Sequence, residues 1–387
     1  MNKTTHTIVN GDARKMSLVD SSGIHLIITS PPYWHLKDYG SDEQIGFDDS
    51  YSNYINNLNL VWQECYRILH NGCRLCVNIG DQFARSVHYG RYKVIPIRTE
   101  IIRFCERIGF DYMGSVIWQK VTTCNTTGGA TVMGSFPYPR NGIVKIDYEF
   151  ILIFKKLGTA PKPSSRQKEN SKLSKDEWNE FFNGHWKFSG EKQGGHLAMF
   201  PYELPKRLVK MFSFEGETVL DPFLGSGTTS LAALRNGRNS IGYEVNGEFM
   251  KLIREKLETG NDLLAKGDLT FMEDTSRPGQ PDFDSLPYLF TDPHSMDKKI
   301  DPRHLSFGSR VNSSSQPRQE YFSVAEVLSA NRLRLDNGTM IRLLGIEPIP
   351  GNENSAVEYL RSMLKGQKVY LRFCPASVGN GILSCYT

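Results

Sequence analysis

Long apolar runs are missing from this chain. No stretch of about 18 consecutive apolar residues occurs, so no membrane-spanning helix is expected. No hydrophobic signal segment is visible either, because residues 1–6 lead straight into the strand-like Thr7-Ile8-Val9. Paired cysteines are scarce. The seven present (Cys65, Cys73, Cys76, Cys105, Cys124, Cys374 and Cys385) are odd in number and scattered, which excludes a regular disulfide framework. Cys73 and Cys76 have the spacing of a metal pair, yet residues 73–79 read as a strand, where positions three apart face opposite ways. With no second pair, the expectation is no metal and reduced thiols in a cytoplasmic protein. Two phosphate-binding signatures are absent as well: no Gly-Lys-Ser/Thr P-loop and no complete Gly-x-Gly-x-x-Gly. The net charge of +4 is too small to indicate a nucleic-acid partner by itself.

What is present is organised around Thr29-Ser30-Pro31-Pro32-Tyr33-Trp34. The β-branched run Ile24-His25-Leu26-Ile27-Ile28 before it reads as a buried strand. Two prolines then stop the ladder, since neither has an N–H to donate, and each holds its predecessor extended. A stiff lip results at a strand's carboxyl end, with the Ser30 hydroxyl, lip carbonyls and the flat faces of Tyr33 and Trp34. Such a lip suits a planar heterocycle with an exocyclic amine; the plain alternative is a Pro-Pro turn with an aromatic plug.

At 387 residues the chain is long enough for about two to three domains. Strand and helix patterns alternate through residue 154, with helices expected near 54–69 and 96–108, which predicts a parallel α/β sheet. Asn71-Gly72 reads as the end of the first helix. Farther on, Asp221-Pro-Phe-Leu-Gly-Ser-Gly-Thr-Thr229 follows a short strand and opens a helix, and the next strand ends in Glu244, 23 residues after Asp221. Strand, glycine-rich turn, helix, strand and acid make a nucleotide-type βαβ unit, the acid standing near the ~20-residue offset that reaches ribose hydroxyls. An acidic strand end favours a cationic amino-acid group over a pyrophosphate.

Between these halves, residues 157–195 are polar and basic and read as an insertion. Lys155, Lys156, Lys162, Arg166, Lys168, Lys172 and Lys175 face only Glu169, so a phosphate-contacting surface competes with a solvated loop. Residues 261–320 are rich in Asp, Pro and Ser and read as a linker, most clearly at 312–317. Residues 321–387 show short strands, an Asp336-Asn-Gly338 turn and one helix, which predicts a small barrel of oligonucleotide-binding type.

Together, the 29–34 and 221–229 motifs resemble motifs IV and I of amino-methylating DNA methyltransferases, in the permuted order of the β-group. The resemblance covers about residues 7–258. It implies a Rossmann-like α/β methyltransferase domain over 1–260, with 157–195 as target-recognition insertion, and S-adenosyl-L-methionine as cofactor. Ser30, Pro31, Pro32 and Tyr33 would be catalytic, with Tyr33 and Trp34 stacking on the target base. Asp221, Phe223, Gly225, Ser226, Gly227 and Thr228 would line the methionine end, Glu244 would hold the ribose, and Asp12 would lie near the adenine. His196-Leu-Ala-Met-Phe200-Pro201 resembles motif X, which packs over the methionine moiety. Double-stranded DNA is the implied partner, with Arg140, Lys162, Arg166, Lys168 and Lys172 as contact candidates; a cognate restriction endonuclease and a homodimer are compatible with it, as is nucleoid association.

The Ser-Pro-Pro-Tyr form resembles enzymes acting on cytosine N4, with adenine N6 the alternative. The same stacking chemistry also suits RNA, a protein glutamine or a small amine, and a decayed DNA-binding protein is the alternative of another class. The tail resembles a staphylococcal-nuclease-like domain through Ile341-Arg-Leu-Leu-Gly-Ile346. Arg342 matches a catalytic arginine, but Asn331, Pro350 and Asn380 replace expected acidic or basic residues, so a non-hydrolytic module over 321–387 is expected.

Overall fold

The computed structural model describes residues 3–35, 44–84, 89, 93–120, 134–190, 200–260, 267–276, 281–294, 321–336, 338–343, 351–364, 368–370, 372–379 and 382–386. The chain divides into two units, Met1–Arg310 and Val311–Thr387.

The first unit is built on a nine-stranded sheet. In chain order the strands are β1 (Thr4–Asn10), β2 (Ile24–Thr29) and β3 (Leu69–Ile79), then β4 (Gln82–Ala84) and β5 (Lys93–Ile95), which pair only with each other. There follow β6 (Phe110–Lys120), β7 (Tyr148–Lys156), β8 (His185–Phe188), β9 (Thr218–Asp221), β10 (Asn239–Glu244) and β11 (Gly267–Glu273). The order across the sheet is β11-β1-β10-β9-β2-β3-β7-β6-β8. β2 lies at the centre with Leu26, Ile27 and Ile28 inaccessible, as a strand covered on both faces requires.

The sheet is mixed rather than parallel throughout. β7 runs antiparallel to both β3 and β6. The described part of the β6–β7 connection, residues 134–147, carries only a 3₁₀ turn at Pro139–Asn141, and a parallel return needs a crossover helix. The helix Tyr51–Ile68 is capped by Ser50, whose hydroxyl accepts from the Asn53 amide. It ends three residues before Asn71-Gly72. Those two residues instead lie inside β3, where Gly72 takes a left-handed φ of 78° and abuts Ala160.

Much of the expected linker belongs to the first unit. β11 pairs along its whole length with β1 and forms the sheet edge. Phe290 exchanges two hydrogen bonds with the Asn56 side chain, and Leu286 is buried in the main core. Polar spacing hid this segment: an edge strand and a surface strap need only half their residues apolar. Residues 312–317 lie outside the described residues. No helix among the described residues is long and apolar enough to cross a membrane.

The second unit contains β12 (Tyr321–Ser329), β13 (Arg332–Leu335), β14 (Met340–Leu343), the helix Glu353–Leu364, β15 (Lys368–Tyr370), β16 (Arg372–Gly379) and β17 (Ile382–Tyr386). Its six-stranded order is β15-β12-β13-β14-β17-β16. Among the described residues no ladder joins β15 to β16, so the closed barrel expected from sequence is replaced by an open sheet. Pro350 and Asn380 lie outside the described residues.

Candidate active site

Two motifs nearly 200 residues apart meet because their strands are neighbours. β2 pairs with β9, Ile27 opposite Leu220, so the 29–34 lip and the turn after Asp221 leave the same edge of the sheet. β10 lies on the other side of β9, with Gly242 opposite Asp221, and β1 follows, with Asn10 opposite Glu244. The chain proceeds from β9 toward β10 and from β2 toward β3, in opposite directions across the sheet. The lip and the turn therefore flank a topological switch point at the carboxyl ends of the strands, where open α/β sheets bind ligands.

The turn is a cradle of backbone. Gly225 and Gly227 have φ of 54° and 84°, a left-handed region that side-chain-bearing residues seldom occupy. A Cβ on Gly225 would meet nothing closer than the Phe223 carbonyl at 4.0 Å, so this turn faces open space. Asp221 is buried, accepts from the Phe223 amide at 3.0 Å and the Thr229 hydroxyl at 2.6 Å, and is pushed up to about 6 by burial. Glu244 accepts from the Gly225 and Asn246 amides at 2.8 and 2.9 Å, and burial pushes it up to about 7. Two acids that gain by ionising against a cationic or hydroxyl-bearing ligand, beside an open glycine turn, fit the amino-acid and ribose parts of a nucleoside–amino-acid cofactor. Phe223 packs on the main core, its ring 6.5 Å from that of Trp62.

Other residues of the expected cofactor set have different immediate partners. The Ser226 and Thr228 hydroxyls accept from Lys256 Nζ at 2.7 and 3.1 Å, so their side chains turn toward the helix Phe249–Gly260. Asp12 stands beside Glu244, since the Gly11 amide donates to the Glu244 carbonyl, but its carboxylate is gripped by Arg14. Pro201 is buried and Phe200 half-buried against the second core cluster; residues 196–199 of the same segment lie outside the described residues.

At the lip, Ser30 is half-buried and Pro31 buried, while the Pro32 carbonyl accepts from the Tyr54 hydroxyl at 2.8 Å. Tyr33 is half-buried with its hydroxyl enclosed: it donates to Glu149 at 3.1 Å and accepts from the Gly80 amide at 2.7 Å. Burial, then the nearby Glu149 carboxylate, raises its pKa well above that of free tyrosine. Trp34 does not form the expected wall for a base. It is buried, its indole N–H donates to the Asp49 carbonyl at 2.8 Å, and its ring lies 5.3 Å from that of Tyr51. Trp34 anchors the lip from beneath.

The basic insertion is misplaced for contact with this edge. Its hydrogen bonds run from Gln167 to the Glu215 carbonyl and from the Glu215 amide to Ser171, just ahead of β9 at the amino ends of the parallel strands. Exposed Lys162, Arg166, Lys168 and Lys172 thus lie opposite the site. Arg140, also exposed, lies on residues 134–147 ahead of β7, at the same edge as Tyr33. Charge density marked the first group; only the sheet direction reveals that it faces away.

The model of the DNA methylase family matches residues 24–255, more than half of the chain. The chain belongs to the DNA methylase family. The methylase is 35% identical over 283 residues to the Type II methyltransferase M.MjaI of Methanocaldococcus jannaschii, covering 66% of this chain and 91% of that relative. It is 31% identical over 280 residues to the Type II methyltransferase M.MthZI of Methanothermobacter thermautotrophicus, covering 66% and 77%. Among solved structures, the DNA modification methylase TTHA0409 of Thermus thermophilus, complexed with S-adenosyl-L-methionine, superposes with a TM-score of 0.58 at 33% identity, over 70% of this chain and all of that one. The family match, residues 24–255, takes in both motifs.

Proposed function

We propose that this methylase transfers a methyl group from S-adenosyl-L-methionine to the exocyclic amine of a base flipped out of duplex DNA, cytosine N4 in preference to adenine N6. The observation that carries the reading is the adjacency of the proline lip on β2 and the acid-flanked glycine turn on β9. The bound cofactor supplies an electrophilic methyl on a sulfonium. Asp221 and Glu244 hold its cationic and ribose ends at the strand edge. The extruded base costs a few kcal/mol to unstack and stacks on the Tyr33 ring. Ser30 Oγ and the Pro31 carbonyl would accept hydrogen bonds from the amine, drawing the nitrogen toward a tetrahedral shape with its lone pair directed at the methyl. As the N–C bond forms the methyl's bond to sulfur breaks, the sulfur departs as a neutral thioether, and the surplus amine proton is lost to solvent. Catalysis is placement of partners and of partial charge, with no side-chain nucleophile.

The Ser-Pro-Pro-Tyr form of the lip supports cytosine. The Type II names of the relatives support a cognate restriction endonuclease as companion. Exposed Arg342 on β14, with Asn331 where an acid is expected, supports a non-hydrolytic role for residues 321–387. The test is mass spectrometry of nucleosides from DNA incubated with the full chain and S-adenosyl-L-methionine. N4-methylcytosine is expected; N6-methyladenine would reverse the base assignment, and no methylated nucleoside despite cofactor binding would move the substrate outside DNA.

A further inference from the structure

Glu149, the second residue of β7, has no part in the expected site, yet it is the hub of the polar contacts behind the lip. Its Oε1 accepts from the Tyr33 hydroxyl at 3.1 Å, and its Oε2 accepts from Asn78 Nδ2 at 2.7 Å. Lys120, the last residue of β6, forms an ion pair with Oε1. The phenol is gripped from its other side by the Gly80 amide at 2.7 Å. A Cβ on Gly80 would stand 3.1 Å from the phenol oxygen and 3.2 Å from Glu149 Cγ, so a side chain there would press on both groups. Three adjacent strands, β3, β7 and β6, thus converge on one hydroxyl through one carboxylate.

We propose that Glu149 is the positioning residue of Tyr33: it fixes the phenol edge so that the ring face stands ready for the target base. This rests on the reading of residues 29–34 as the base-holding lip. Tyrosine and phenylalanine offer a base the same π-face, so stacking alone does not require the hydroxyl. The hydroxyl's two opposed hydrogen bonds determine the tilt of that face. Asn78 and Lys120 hold the carboxylate in turn, as a mostly buried charge requires. Both carboxylate oxygens are engaged by protein groups, which assigns Glu149 to orientation rather than to proton transfer.

The test uses the full chain with methyl-labelled S-adenosyl-L-methionine and genomic DNA from a host lacking DNA methylation. Single-turnover transfer is compared for wild type, Tyr33→Phe, Glu149→Leu, Glu149→Gln and the Tyr33→Phe/Glu149→Leu double variant. Each of the first two substitutions is expected to slow transfer by roughly 10- to 100-fold, the scale of an ångström-level misplacement. The double variant should be no slower than the worse single one. Glu149→Gln, which keeps an acceptor for the phenol, should recover most of the rate, with cofactor affinity unchanged throughout. A double variant slowed by the product of the two factors, or wild-type transfer by Tyr33→Phe, overturns the proposal. Hydrogen exchange at the Gly80 amide is followed on the same proteins and should accelerate in Tyr33→Phe and Glu149→Leu. If wild type transfers no methyl, the DNA reading fails, while unchanged Gly80 exchange in Glu149→Leu would still overturn the positioning role by itself.

Discussion

Glu244 and Gly225 are joined by a hydrogen bond of 2.8 Å from the glycine amide to the carboxylate, which ties the end of β10 to the cradle after β9. Burial pushes that carboxyl up from 4.5 to about 7. Its folded pKa lies above the unfolded one, so its contribution to stability is complete below pH 4.5 and is lost as pH rises through about 7. Cofactor binding has the opposite sign, because the ionised carboxylate accepts from ribose hydroxyls more strongly than the neutral acid does. Titration calorimetry should show S-adenosyl-L-methionine binding roughly tenfold more tightly at pH 8 than at pH 6, the span of one proton lost across a pKa near 7. Glu244→Gln should bind more weakly and with a shallower pH profile, the remaining slope falling near the Asp221 value of about 6.

The cradle itself depends on Gly227. An alanine there would adopt φ of 84° and bring its Cβ within 3.2 Å of Ile253 Cγ2. Gly227→Ala is expected to lose about 1–2 kcal/mol in denaturant unfolding from the left-handed conformation alone, and to weaken cofactor binding as the turn relaxes.

The two basic regions should behave differently toward DNA. Replacing Lys162, Arg166, Lys168 and Lys172 together by Ala removes charge from the amino-end face and should leave DNA affinity and its salt dependence unchanged. Arg140→Ala at the carboxyl edge should weaken binding and reduce the slope of log affinity against log salt by about 1. Fluorescence anisotropy across a salt series distinguishes them; the reverse pattern would place DNA on the other face.

Arg207 joins the insertion to the helix Glu203–Phe212. It is buried, forms ion pairs with Glu203 and Glu180, and lies 5.0–5.2 Å from the ring centres of Phe188, Phe181 and Trp186. Arg207→Ala removes the cation and its packing together and should destabilise the domain by about 3 kcal/mol in urea unfolding.

The motifs were legible in sequence because each is local: prolines after a β-branched run, glycines between an acidic strand end and a helix. Asp221 and Glu244 stand out as acids ending successive strands, and Tyr33 by its place after the two prolines. What holds them does not. Glu149 lies 116 residues from Tyr33 and looks like an ordinary polar position near the start of an apolar strand. In sequence Trp34 reads as a second stacking face beside Tyr33; only the aromatic cluster around Tyr51 shows that it turns inward. β11 is hidden in sequence because GDLTFME alternates half-buried and exposed positions at an edge, and with it Asp274, whose amide donates to the Asn10 carbonyl at the same strand edge as Glu244. The position of the basic insertion follows from the direction of its flanking strands, which composition does not encode.

The most direct test of the central claim, that lip and cradle form one site, is methyl transfer to DNA by Tyr33→Ala measured beside its S-adenosyl-L-methionine affinity. Transfer should be abolished with cofactor affinity close to wild type. Wild-type transfer by Tyr33→Ala would contradict the claim.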